Sequence, residues 1–266
     1  MIQLIEALNY RCLRSISQPL GPFHVLVGPN ASGKTTFLDV VAFLGRMVSD
    51  GLDAAIEERT ANFEDLVFGR SGRSFELAVE LKIPDQQRQR LPENKRDCDT
   101  IRYEVRIGYD SQSQIVGILE ERGLLKKKDA HVPHQRDLFP QDHDSPQTII
   151  AGKAPRGART IFSKNAISGD HYYLEVAGKS GKGWYPSIKL GQKKSALGSL
   201  LEDELKFPVS TWLKNILTQG VQKLVLNSLE IRKASPPGKR LGFLPDGSNH
   251  PRVIKALRAK HEPRFQ

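Results

Sequence analysis

The chain has 266 residues, 38% hydrophobic and 26% charged, with a formal net charge of +10 and two cysteines. This balance predicts a folded, soluble protein with a sizeable core, and no apolar run approaches the roughly 18–20 residues of a membrane-spanning helix. Cys12 and Cys98 stand far apart, which fits a reducing, cytoplasmic setting better than a disulfide scaffold.

Read in order, Met1 to Glu6 begins like a strand and lacks the basic head and cleavage site of a signal peptide. Alternation predicts a strand over residues 2–8, then a turn and short strand in "RCLRSISQPLG". "HVLVG", residues 24–28, is a compact apolar run ending at glycine, the pattern of a buried strand. A helix is expected from Gly33, with Phe37, Leu38, Val41 and Leu44 forming its apolar stripe. A second short helix follows over residues 53–59. After residue 72 the period changes to two: "SFELAVELKI", "IRYEVRIGYD" and "QIVGILEERGLL" predict three strands, the last two joined by a hairpin turn at Asp110–Gln114. Residues 126–170 are rich in proline, glycine and charge. "DHYYLEVAG" and "WYPSIKL" read as strands, and residues 195–205 and 209–218 as helices. "VQKLVLNSLEI" reads as a last strand, and Pro251 opens a basic terminal helix.

The most specific pattern is Gly28-Pro29-Asn30-Ala31-Ser32-Gly33-Lys34-Thr35, which satisfies G-x-x-x-x-G-K-[ST]. An apolar run precedes it and an amphipathic helix follows, as the chemistry requires. Glycines let backbone N–H groups wrap an anion, and the helix N-terminus adds positive potential. Lys34 is the expected catalytic cation, bridging the terminal phosphates of a nucleoside triphosphate. Thr35 is the expected Mg²⁺ ligand, and Thr36 completes the cofactor-binding set that starts at Gly28.

"LNYRCLRSI" ahead of "HVLVGPNASGKTTFLDVVAFL" resembles the opening of bacterial ATPases of the RecF/SMC/OLD-like branch of the ABC type, usually catalogued as AAA-family ATPases. The resemblance extends to "DGLDAAIEER" with "FGR", and to the stretch from "FPVSTWLKNIL" to "HPRVIKAL". It implies an α/β fold: the N-terminal part of an ATPase head carrying an antiparallel β-rich lobe. Its expected parts are a P-loop core (1–72), the lobe with a basic irregular insert (73–192), and helices, a strand and a basic tail (193–266). It implies ATP and Mg²⁺ as cofactors and ATP-dependent homo- or hetero-dimerisation. The implied partners are DNA and a nuclease or a separate C-terminal ATPase half, in DNA repair, DNA maintenance or phage defence. It also implies that Arg11 lies close to the bound phosphates, with Cys12 where relatives carry serine.

Hydrolysis needs an acid that orients the attacking water. "IVGILEERG" offers Glu120 and Glu121, but it follows a hairpin turn and is read as the return strand. "KLVLNSLE" places Asn227 where the acid belongs, and "LPDGSN" only faintly matches a partner-supplied signature. ATP binding with little turnover is therefore expected. The alternative is a non-catalytic basic scaffold for nucleic acid or a partner protein. Gln192 and Gln141 are both candidates for a glutamine that senses Mg²⁺ and γ-phosphate. "NKRD" at residues 94–97 mimics a guanine-reading motif, but neither the strand ahead of it nor an Asp-x-x-Gly switch is present. The histidines 131, 134 and 143 do not have zinc-ligand spacing, and no metal site is expected there. Residues 123–200 hold 13 Lys+Arg against 6 Asp+Glu, which predicts either a phosphate-contacting surface or a solvated loop. Tyr172-Tyr173 and Trp184-Tyr185 are read mainly as strand packing, with base stacking as the alternative.

Overall fold

A computed structural model describes residues 1–127, 145–152, 157–165, 169–176, 184–235 and 242–260. The glutamine at 141, the histidine–aspartate stretch at 131–144 and part of the basic middle lie outside these residues, as do the side chains of 184–188. The chain divides into two compact units, Met1–Gln219 and Gly220–Gln266.

The first unit is built on one sheet. Its strands are β1 (Ile2–Tyr10), β2 (Leu13–Pro19), β3 (Ser74–Lys82), β4 (Thr100–Tyr109), β5 (Val116–Lys126), β6 (Arg159–Asn165), β7 (Gly169–Tyr173) and β8 (Trp184–Ile188). They lie in the order β2-β1-β3-β4-β5-β6-β7-β8, and each neighbouring pair is antiparallel. Short turns join β1 to β2, β4 to β5 and β6 to β7, whereas β3 returns to pair with β1 after the segment that carries α1 and α2. The helices of this unit are α1 (Lys34–Asp50), α2 (Leu52–Glu57), α3 (Asp85–Gln89), α4 (Ala196–Ser199) and α5 (Pro208–Asn215). The fold is α/β, with a phosphate-loop helix against an antiparallel β-rich sheet, as expected.

The two faces of the sheet have different chemistry. On one face Phe75, Leu77, Val79, Ile101, Tyr103, Val105 and Ile107 join the core that also holds Val40, Phe43, Leu44 and Met47 of α1. Tyr10, Phe43 and Phe75 meet ring to ring at 5.0–5.8 Å. On the other face Glu76, Glu80 and Glu104 are charged and still buried. Arg102 pairs with Glu6, Glu80 and Glu104 at 2.6–3.1 Å, and Arg106 with Glu76 at 2.7 Å. The segment at 148–151 crosses this face: Ile149 N–H donates to Glu76 and Ala151 N–H to Glu104, while Arg102 donates to the Ile149 carbonyl. Buried carboxylates are tolerated here because each has a charged donor, and Glu76 and Glu104 have a backbone N–H donor as well.

Several expectations change. The "HVLVG" run is not a strand: Phe23, Val25 and Val27 are 83%, 67% and 89% exposed, and residues 22–27 have no backbone hydrogen-bond partner among the described residues. Apolar β-branched sequence supplies propensity, but a strand forms only where a neighbouring strand takes its N–H and C=O groups. Leu38 is 57% exposed; the buried stripe of α1 instead runs through Phe37, Val40, Val41, Phe43, Leu44, Met47 and Val48. The helix expected over 195–205 is only the four residues of α4, which end before Leu200. The helix over 209–218 is present as α5 and continues as a wider π turn, Ile216–Gly220.

In the second unit, "VQKLVLNSLEI" is not a strand either. Residues 221–227 have no regular secondary structure, Val225 and Asn227 donate to the carbonyls of Pro245 and Asp246, and Ser228–Ile231 forms the short helix α6. The Asn227 side chain caps α6 by accepting from Leu229 N–H at 3.0 Å. The basic helix α7 (His250–Lys260) follows the "LPDGSN" turn, as predicted.

Candidate nucleotide site

Residues 28–36 form a compact loop feeding directly into α1. Ala31 and Gly33 adopt left-handed backbone conformations, with φ of 65° and 87°. Gly33 also touches the β1–β2 turn: a Cβ there would lie 3.2 Å from Leu13 and 3.4 Å from the Cys12 sulfur. Glycine is needed at this position on both counts. At Gly28 a Cβ would come within 2.9 Å of the Ser32 hydroxyl, so the loop closes on itself there.

Lys34 folds back across this loop. Its Nζ donates to the carbonyls of Gly28 and Pro29 at 2.9 and 2.6 Å, and to Ser32 Oγ at 3.3 Å. The first turn of α1 has no side-chain cap. The Gly33, Lys34, Thr35 and Thr36 N–H groups have no acceptor among the described residues. An uncapped helix start with a lysine gathered over it is the donor set that phosphate oxygens require. The residues present therefore fit a nucleotide phosphate chain. Thr35 is exposed, and its hard oxygen suits Mg²⁺. Thr36 is buried, and its Oγ1 accepts from the Cys12 thiol at 3.3 Å, so its hydroxyl faces the β1–β2 turn. Asn30, Ala31 and Ser32 are exposed at the loop crest.

Arg11 sits in that same turn with a left-handed φ of 52°, its N–H donating to the Leu66 carbonyl at 2.9 Å. Its guanidinium is 40% exposed and makes one 3.4 Å contact with Asp39 on α1. Asp39 is the hub of a cluster that sequence reading did not find. It accepts from Tyr10 Oη at 2.6 Å and from Arg59 at 2.8, 2.9 and 3.0 Å. Arg59 is 8% exposed and lies 5.1 Å from the Phe43 ring centre. Burial pushes the Asp39 carboxyl up, but hydrogen bonds from Arg59 and Tyr10 and the nearby guanidinium charges outweigh it and hold it below the usual range. The only local signal for this role is an acid just over one turn beyond Lys34-Thr35-Thr36.

The acid pair of "IVGILEERG" lies on β5, the return strand of the β4–β5 hairpin, as read from sequence. Neighbouring residues on a strand point to opposite faces. Glu120 pairs with Arg106 at 3.3 Å on the charged face, and Glu121 points into the core. Glu121 accepts from Tyr103 Oη, Ser195 Oγ, Ala196 N–H and Leu197 N–H at 2.7–3.0 Å. Its full burial raises the carboxyl above the ordinary value despite these bonds. It therefore fastens the start of α4, whose Gly198 packs on the Val48 carbonyl near the far end of α1. At 1.5 Å per residue, Val48 is about 20 Å along the helix from Lys34. Gln192 is remote for the same reason. Its carbonyl accepts from Ile118, and neighbouring Lys193 accepts from Leu52 N–H just past the C-terminus of α1, about 25 Å from the loop. Tyr172 is buried and donates to the Ala196 carbonyl at 2.9 Å, so it is packing rather than a base platform. Tyr173 is 37% exposed.

Among the described residues no three His, Cys, Asp or Glu side chains are grouped to hold a metal, and no helix is long and apolar enough to cross a membrane. Residues 23–140 match the family described as "AAA domain, putative AbiEii toxin, Type IV TA system". Over 88 residues the chain is 46% identical to the OLD nuclease of Thermus scotoductus, a match covering 33% of this chain and 16% of that relative. The chain thus matches about one-sixth of the relative's length. A solved structure, described for ATP-driven dimerization and DNA stimulated activation of SMC ATPases, aligns at a TM-score of 0.33 and 21% identity, covering 44% of this chain and 67% of that one. The family model covers less than half of the chain, and over residues 23–140 the chain is similar to AAA-domain proteins.

Proposed function

We propose that this chain binds ATP with Mg²⁺ at residues 28–36 and serves a DNA-directed process: repair, maintenance or defence against phage. The observation that carries the reading is the loop at the uncapped start of α1, with Lys34 held by the Gly28 and Pro29 carbonyls. Bound ATP supplies a phosphoanhydride whose charge the chain's own residues must meet. Backbone N–H groups of 33–36 orient the phosphates, Lys34 moves from the loop carbonyls to the terminal oxygens, and Thr35 offers a hydroxyl to Mg²⁺.

Turnover by this chain alone is proposed to be slow. Glu120 and Glu121 are engaged in an ion pair and a helix cap, so neither is placed to orient a water. In this reading residues 1–72 are the core of a head, 73–192 its β-rich lobe and 193–266 its helices and basic tail. The exposed, largely apolar run at 23–27 supports a partner strand, from a second copy or another polypeptide, beside the phosphate loop. The description of the OLD relative as a nuclease supports a nuclease activity as the setting.

The test is equilibrium binding of a fluorescent ATP analogue, with and without Mg²⁺, to the wild type and Lys34→Ala. Micromolar binding lost in the variant is expected. Equal binding by both would refute the site. Salt-sensitive DNA binding without nucleotide binding would instead favour the non-catalytic basic scaffold.

A further inference from the structure

Arg11 and Arg59 reach the same carboxylate, but on unequal terms. Arg59 is buried, lies against Phe43 and makes three hydrogen bonds to Asp39. Tyr10 adds a fourth at 2.6 Å. Arg11 makes a single long contact at 3.4 Å and is 40% exposed. Removing Arg11 therefore leaves Asp39 fully satisfied, whereas removing Arg59 strands a buried charge. The Arg11 backbone is held by the Leu66 carbonyl and by the left-handed turn, while the next residue, Cys12, touches both Gly33 and Thr36. The arginine is thus rooted beside the phosphate loop, with a single long side-chain contact among the described residues, to Asp39.

We propose that Asp39 is a positioning residue for the nucleotide site: oriented by Arg59 and Tyr10, it keeps the Arg11 guanidinium beside the loop, from where Arg11 moves onto the nucleotide phosphates. Asp39 itself does not touch the nucleotide. It holds the cation near the loop instead of letting it sample solvent, which lowers the ordering cost of the phosphate contact. The inference rests on the nucleotide reading above and adds to it the means by which the second cation is held.

A double-mutant cycle tests it. The affinity of a fluorescent ATP analogue is measured for the wild type, Arg11→Ala, Asp39→Asn and the double variant, together with the melting temperature of each without nucleotide. Arg11→Ala is expected to melt like the wild type and to bind about tenfold more weakly, the effect of one charge-assisted hydrogen bond. Asp39→Asn is expected to weaken binding severalfold in the wild-type background and not at all in the Arg11→Ala background. Where Asp39→Asn fails to fold, Asp39→Glu keeps the charge for Arg59 but shifts the carboxylate by one methylene relative to Arg11 and is measured in its place; a smaller loss of affinity is expected, and again only in the background that retains Arg11. Equal weakening in both backgrounds would overturn the proposal, because a merely structural Asp39 acts whether or not Arg11 is present. A wild-type chain that binds no nucleotide refutes the proposed function and this inference with it; binding with additive losses refutes this inference alone.

Discussion

Glu121→Gln separates a structural carboxylate from a catalytic one. Three donors converge on Oε1 of Glu121: Tyr103 Oη at 2.9 Å, Ser195 Oγ at 2.7 Å and Leu197 N at 3.0 Å. Glutamine preserves that oxygen. The other oxygen accepts from Ala196 N at 2.7 Å, and glutamine sets an amide N–H₂ against that N–H. One backbone donor and one side-chain donor are then stranded in a fully buried site, at a cost of about 1–3 kcal/mol. Removing a carboxylate that burial disfavours offsets part of this, so the net loss at neutral pH is expected to be about 1–2 kcal/mol. For a protein of this size each kcal/mol lowers the melting temperature by about 2–4 °C, so a fall of about 2–8 °C is expected by circular dichroism. ATP affinity should not change, because the cap sits against Val48, about 20 Å along α1 from Lys34. Glu120→Gln, the matched control, loses a half-exposed ion pair and should cost under about 1 kcal/mol. An Glu121→Gln protein that melts like the wild type yet loses robust ATP turnover would refute this reasoning and make the residue catalytic.

Lys34→Ala should abolish ATP binding while changing stability by no more than about 1 kcal/mol, since its bonds to loop carbonyls are solvent-accessible; a melt alongside the binding titration checks both. Glu175 is buried and accepts from Val209 N–H, Ser210 N–H and the Ser210 hydroxyl at the start of α5, and burial pushes its carboxyl from 4.5 up to about 7. A carboxyl raised in the folded state is stabilising while protonated, so its contribution is present below about pH 4.5 and is lost as pH climbs towards 7, by about 3 kcal/mol in all. Urea midpoints should therefore fall across that window in the wild type and fall less in Glu175→Gln; parallel profiles would show that Glu175 does not titrate there. A Cβ on Gly123 would lie 2.3 Å from the Phe162 ring, so Gly123→Ala should cost about 1–3 kcal/mol by forced repacking, read as a lower urea midpoint with an unchanged slope. If the basic middle of the chain contacts DNA through phosphates, affinity should fall steeply with salt and ignore base sequence; a flat response between low and moderate salt would exclude such contacts.

Much of the site and the sheet was legible in the sequence because it depends on neighbours close in the chain. The loop from Gly28 to Thr35 is one continuous segment, and its glycines, lysine and following helix are set by local backbone geometry. The strands β3, β4 and β5 carried a period of two, and the Asp110–Gln114 turn announced their hairpin. What only the tertiary structure decided depends on residues distant in sequence. The runs "HVLVG" and "VQKLVLNS" have strand propensity, yet neither forms a strand among the described residues, because propensity does not supply a partner for the backbone groups. Glu120 and Glu121 looked alike as neighbours, and only the pleat of β5 and the distant Arg106 and Ser195 gave one an ion pair and the other a buried cap. Asp39 was one acid among many on a helix until Tyr10, Arg11 and Arg59, between 20 and 29 residues away, converged on it. Local sequence sets which conformations a segment prefers; which charges meet, and which strands pair, is settled by the contacts that chain folding brings together.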